Sequence, residues 1–164
     1  MARPRRDGRG PAAGELQPEL ECGRRAGVSL IRYTLQRPLE PGSSVIAMSS
    51  GAAVNESPLS GGYAGAKAAV RFIASYAAIE SDRAGPGISF VSVLPRLTAA
   101  TDLGVKAAAA YAERQGVDFD TFAQSSGPVL SAEQVGRSVL EIAIGDPRNH
   151  GAYLLASAGL SSLA

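Results

Sequence analysis

Tyr63 and Lys67 stand four residues apart at the head of an alanine-rich run, and Ser50 lies thirteen positions before Tyr63. If the run is a helix, residues four apart share one face, a turn apart. Ser50 follows the short apolar run Val45-Ile46-Ala47-Met48, which reads as a buried strand. A strand-end hydroxyl, a phenol and an ammonium are thereby expected to converge. A phenol titrates near 10, so it handles protons poorly at neutral pH until its anion is stabilised. A positive charge roughly 4 Å away, at an effective dielectric near 20, contributes about 4 kcal/mol to that end. A serine hydroxyl beside it donates to a carbonyl oxygen and holds that oxygen where the phenol can protonate it.

The pairing is uncommon on composition. Lysine occurs only at Lys67 and Lys106, against fourteen arginines and five tyrosines, so a Tyr-x-x-x-Lys spacing is expected by chance about 0.06 times. The plain alternative makes Tyr63 and Lys67 surface neighbours on an ordinary helix and Ser50 a strand-end cap.

Positioning these groups falls to a series of alternating elements. Residues Val28 to Leu39 have approximate helical spacing and end at Pro38 and Pro41. The strand Val45 to Ser49 follows the Pro41-Gly42 turn, and the Ser-, Pro- and Gly-rich stretch Gly51 to Gly62 reads as a loop beside a substrate pocket. Helix Gly62 to Ala84 carries a broad apolar stripe and ends at Gly85-Pro86-Gly87. The strand Ile88 to Val93 runs into Leu94-Pro95. Two short helices follow, Val105 to Gln115 and Asp118 to Gln124, broken at Gly116. Ser131-Ala-Glu-Gln134 is a capping box opening a helix that closes near Gly145, and Gly151 to Ala156 is the last predicted strand. Three strands separated by helices imply a parallel sheet covered on both faces, with an open edge on the first strand that invites association with another chain.

Composition sets the outer bounds. The 164 residues suffice for one domain, and a net charge of +1 gives no preference for nucleic acid or membrane. Cys22 is the lone cysteine, which leaves no intramolecular disulfide and no cysteine-based metal site, and His150 is the lone histidine. No apolar run reaches membrane-span length and no secretory signal is read, so the expected location is cytoplasmic. The first 27 residues, with Arg3, Arg5, Arg6 and Arg9 among prolines and glycines, read as a disordered arm; weak binding of anions or nucleic acid is its other reading. No Gly-x-Ser-x-Gly elbow supports a serine hydrolase.

From Gly42 onward these pieces together resemble the C-terminal half of a short-chain dehydrogenase/reductase. The resemblance rests on the strand ending in Ser49-Ser50, the Tyr63-x-x-x-Lys67 pair, and the later strand running into Leu94-Pro95. It covers roughly residues 28–164, and it implies a partial Rossmann-like α/β fold with about three parallel strands flanked by helices. It also implies NAD- or NADP-dependent interconversion of a small-molecule carbonyl and its alcohol. Ser50 would orient the substrate oxygen and Tyr63 would exchange the proton. Lys67 would assist Tyr63 and hold the nicotinamide ribose. Pro95, Thr98 and Thr101 occupy the place of the family's segment over the nicotinamide, with Arg96 where glycine is usual and Thr101 one residue late. Arg96 reads either as a partner for an NADP phosphate or as a surface residue. In the family the helix corresponding to residues 62–84 packs against its own copy, which implies a homodimer, and Ser157 to Ala164 resembles the family's glycine-containing tail.

The family's opening strand, its Thr-Gly-x-x-x-Gly-x-Gly turn and its Asn-Ala-Gly turn have no counterpart in this sequence. The expectation is therefore an incomplete short-chain oxidoreductase. The alternatives are a catalytically inactive remnant that serves as a dimerising or interaction module through helix 62–84, and a small α/β domain of unrelated function.

Overall fold

Short apolar runs bracketed by glycine and proline become strands here, of which the central one is buried and the first half-buried, and alanine-rich stretches between them become helices. In the computed structural model the residues described are 27, 29–36, 39–55, 57–85, 87–145 and 151–163. The expected N-terminal arm apart from Gly27, together with Cys22 and His150, lies outside them. A helix α1 (residues 29–36) precedes strand β1 (Ser44–Met48). Helix α2 (Gly61–Ala84), strand β2 (Ser89–Pro95), helices α3 (Asp102–Gln115), α4 (Phe119–Ser125) and α5 (Ala132–Ile144), and strand β3 (Gly151–Ala156) follow in order.

Strands β1, β2 and β3 are parallel and adjacent, with Ile46 opposite Val91 and Val93 opposite Tyr153. The expectation of about three parallel strands needs one correction: a fourth strand, β4 (Gly159–Leu163), pairs antiparallel with β3, so the open sheet is mixed. Two residues, Ser157 and Ala158, reverse the chain, and an antiparallel partner needs no crossover. Leu160 then joins the core, so the tail is a sheet element. Among the described residues the other edge is β1, which pairs on one side only, with β2.

Alternation along the strands divides the core into two layers. Val45, Ala47, Ile88 and Phe90 meet Ile31 and Leu35 of α1 and Ile73, Ala74, Ala77 and Ala78 of α2. On the other face, Val91, Val93, Tyr153, Leu155 and Leu160 meet Leu130 and, from α5, Val135 and Ile142. Residues Ser89 to Leu94 are all buried, and burying a side chain the size of Phe90 contributes about 1.5–3 kcal/mol. The alanines of α2 let it lie close to the sheet, and the Ser81 hydroxyl donates to Ile88 O at 2.7 Å, fixing the helix end to the start of β2. Gly85 ends α2 at φ 75°, in the left-handed region that glycine enters without strain.

The connections β1–α2–β2 and β2–α5–β3 therefore pass on opposite faces while the strands advance in one direction. Such connections have opposite hands, and only one can follow the usual right-handed crossover. To change face the chain passes over the carboxyl ends of the strands, where α3 and α4 hang. In open parallel sheets this end is where ligand crevices form.

Candidate functional site

The end of β1 is tied to α2 before the cleft begins. Ser49 is buried, and its hydroxyl donates to Lys67 O at 2.7 Å. The Lys67 ammonium reaches back to donate to Met48 O at 3.1 Å. Strand end and helix start thus hold each other from both sides. Ser50 comes next and caps the short 3-10 turn Gly51–Ala53, its oxygen accepting from Ala52 N at 3.2 Å. A hydroxyl is one donor and two acceptors, so this role leaves the Ser50 proton to be given to a ligand. The turn sits tightly against β2: a Cβ on Gly51 would lie 3.3 Å from Pro95 O and 3.5 Å from Arg96 Cα.

Tyr63 stands in the first turn of α2, about one-third exposed at 36%. Lys67 lies one turn on, its Nζ 5.8 Å from the centre of the Tyr63 ring, within the range of a cation–π contact. The expected face-sharing is present. The ammonium is shared between the ring and the Met48 carbonyl, whereas the sequence suggested an approach near 4 Å.

Ser50 and Tyr63 line one cleft of about 600 Å³, and so do Pro95, Thr98 and Thr101; Lys67 stands behind Tyr63 outside that lining. The far wall belongs to α3 and α4. Thr101 caps α3 by accepting from Gly104 N at 3.1 Å. Gly104 is packed so closely that a Cβ would lie 1.7 Å from Thr98 O, so any larger residue forces the backbone apart. The Thr98 hydroxyl donates to Leu130 O at 2.9 Å and accepts from Leu130 N at 3.2 Å and Ala100 N at 3.3 Å. One donor and two acceptors are all a hydroxyl has, so Thr98 works as a backbone clamp.

Sequence reasoning did not find Ser57, Ser60, Tyr111 or Phe122, which also line the cleft. The Tyr111 and Phe122 rings stack with centroids 6.2 Å apart and planes 8° from parallel, joining α3 to α4. The Tyr111 hydroxyl and Ser57 share a hydrogen bond of 2.8 Å, and Ser57 shares another, of 2.5 Å, with Ser60. A Tyr and a Phe eleven positions apart carry no local signal of contact. Only the break at Gly116, which turns α4 back against α3, hinted at it. Asp118 caps α4, accepting from Thr121 N at 2.9 Å and the Thr121 hydroxyl at 2.7 Å. Hydrogen bonding from the Thr121 backbone, then its side chain, holds the Asp118 carboxyl below its ordinary value.

No protein-family model and no curated protein matches this chain. The arrangement itself is a hydroxyl and a phenol on one wall of a crevice, a cation behind the phenol, and an aromatic pair opposite. Chemically it can hold a polar oxygen beside a proton source while enclosing an apolar body. Among the described residues, no group of three or more His, Cys, Asp or Glu is placed to hold a metal ion, and no helix is long and apolar enough to cross a membrane.

Proposed function

We propose that this chain is the catalytic half of a short-chain oxidoreductase, interconverting a small carbonyl compound and its alcohol with NAD or NADP. One observation carries the reading: Ser50 and Tyr63 line a common cleft at the carboxyl ends of parallel strands, with the Lys67 ammonium against the Tyr63 ring. The Rossmann-like reading of the fold belongs to the same proposal, supported by three parallel strands covered on both faces.

In the direction of reduction, Ser50 donates a hydrogen bond to the substrate oxygen and fixes it beside the phenol. Tyr63 gives that oxygen its proton, and Lys67 stabilises the phenolate that remains. When bound, the dinucleotide supplies the hydride to the carbonyl carbon and is left oxidised. In the reverse direction Tyr63 takes the proton from the alcohol. The nicotinamide end of such a cofactor fits Tyr63, Pro95 and Thr101, and Lys67 keeps two N–H donors for ribose hydroxyls after bonding Met48 O. Thr98 offers only its methyl group. The pyrophosphate end calls for a glycine-rich strand–turn–helix, which the described residues do not provide.

Titration of NADH and NADPH against the purified chain, followed by melting temperature, tests the proposal. Saturable binding is expected, with turnover falling about 100- to 10,000-fold in Tyr63→Phe while binding persists. A folded chain that binds neither cofactor overturns it.

A second reading, a non-catalytic homodimerising module, draws on one feature of α2. Phe72, Tyr76 and Ile79 are 72%, 56% and 62% exposed and spaced along one face of the helix away from the sheet. Sedimentation of wild type against Phe72→Glu separates the two: a dimer lost in the variant, without cofactor binding in either, favours the module.

A further inference from the structure

Arg96 is the one charged side chain among the described residues that line the cleft. The single ion pair among the described residues is Arg83–Glu80 at 2.7 Å, on α2, so Arg96 has no carboxylate partner among them. Its backbone is fixed: Arg96 N donates to Leu155 O at 2.9 Å, continuing the ladder past the end of β2. It also lies directly across from the Ser50–Gly51 turn, with Arg96 Cα 3.5 Å from where a Gly51 Cβ would be. A guanidinium is a fork of donors that matches a carboxylate in two parallel bonds. The remaining lining is neutral, with Leu97, Leu103, Ala107 and the Tyr111–Phe122 pair making up its apolar part.

We infer that the cleft takes an oxo acid or hydroxy acid, whose carboxylate is held by Arg96 and whose apolar body lies against Tyr111 and Phe122. A cleft whose described lining carries one cation and no carboxylate selects a ligand of one negative charge, and its carbonyl or hydroxyl then falls on the Ser50 side of the same rim. The inference rests on the oxidoreductase reading for which group reacts, but not for whether the acid binds. Arg96 is thus a specificity-determining residue.

The test is direct binding, by calorimetry and by melting temperature, of 4-oxo-4-phenylbutanoate and of its methyl ester to the full chain. The acid is expected to bind about tenfold or more tightly than the ester. Arg96→Gln, an exposed substitution that leaves the fold intact, is expected to remove that preference, and Arg96→Lys to keep part of it. Equal binding of acid and ester, a preference that survives in Arg96→Gln, or no binding of either overturns the inference. So does a result in which Arg96→Gln leaves the acid unaffected and weakens NADPH relative to NADH, which would assign the guanidinium to a cofactor phosphate. Binding of the acid without any turnover would leave this inference standing while the oxidoreductase reading fell.

Discussion

On one side of the cleft, Ser50 and Tyr63 stand on the end of a strand and the first turn of a helix that grip each other through Ser49 and Lys67. On the other side, Tyr111 and Phe122 stand on helices held to the sheet through one threonine clamp, one glycine contact and a hydroxyl bridge to Ser57. The first wall is braced by β2, which is buried from Ser89 to Leu94. The second is an excursion packed mainly on itself, through the Tyr111–Phe122 stack and the buried Ala108 and Ala112. A rigid wall suits groups that must keep their geometry to within tenths of an ångström. A wall that hangs from a few ties suits the recognition of shape.

If that division is right, perturbing the braced wall should change rate, and perturbing the hanging wall should change stability and fit. The largest effect is expected for Lys67→Met, which removes the cation from Tyr63 and should lower turnover about 100-fold or more with the protein still folded by circular dichroism. A wild-type rate would break the comparison at its first wall. Next comes Gly104→Ala, whose methyl group meets Thr98 O. It should cost about 3 kcal/mol or more, read as a melting temperature lower by roughly 6–12 °C. An unchanged melting curve would mean that α3 is free to retreat. Thr98→Val leaves the Leu130 N–H and C=O without their partner and should cost about 1–3 kcal/mol. Thr98→Ser should restore most of it, and equal losses in both would assign the effect to packing.

The smallest effect is a pH dependence. Because Asp118 is held below its ordinary value by its bonds from Thr121, the stabilisation it gives α4 is complete above the ordinary carboxylate value and disappears as pH falls through the lowered one. Below about pH 4 the Phe122 ring resonances should shift in an NMR titration. In Asp118→Asn that step should be missing; its persistence would tie it to another carboxyl.

What could be read from the sequence follows the same division. The strand ends, the α2 start, the capping box of α5 and the shared face of Tyr63 and Lys67 depend on residues within a few positions of one another; the capping box and the shared face are where the pattern placed them, α2 starts at Gly61 and not Gly62, and the strand ends fall within two residues of their expected places. Strand β4 was not legible, because Gly159-Leu-Ser-Ser-Leu163 has the texture of a tail and its Ser157-Ala158 turn lacks the usual Asn-Gly signal. Among the described residues no non-glycine has a positive φ, so this turn uses neither of the mirror-image types that mark hairpins in sequence. The duty of Thr98 was hidden for another reason: its partners on Leu130 are backbone groups, which look the same in every residue. The Ser57–Tyr111 bridge spans 54 positions, and nothing local announces it.

Thr98 and Leu130 lie 32 positions apart and are fastened side by side. The intervening chain therefore leaves the sheet and returns to it at a riveted base. Lengthening a segment closed in this way costs little, about 0.6 kcal/mol for each doubling. Away from Gly104 and the Tyr111 bridge to Ser57, the span between them is thus a cassette open to changes in length while the strands beneath keep their register.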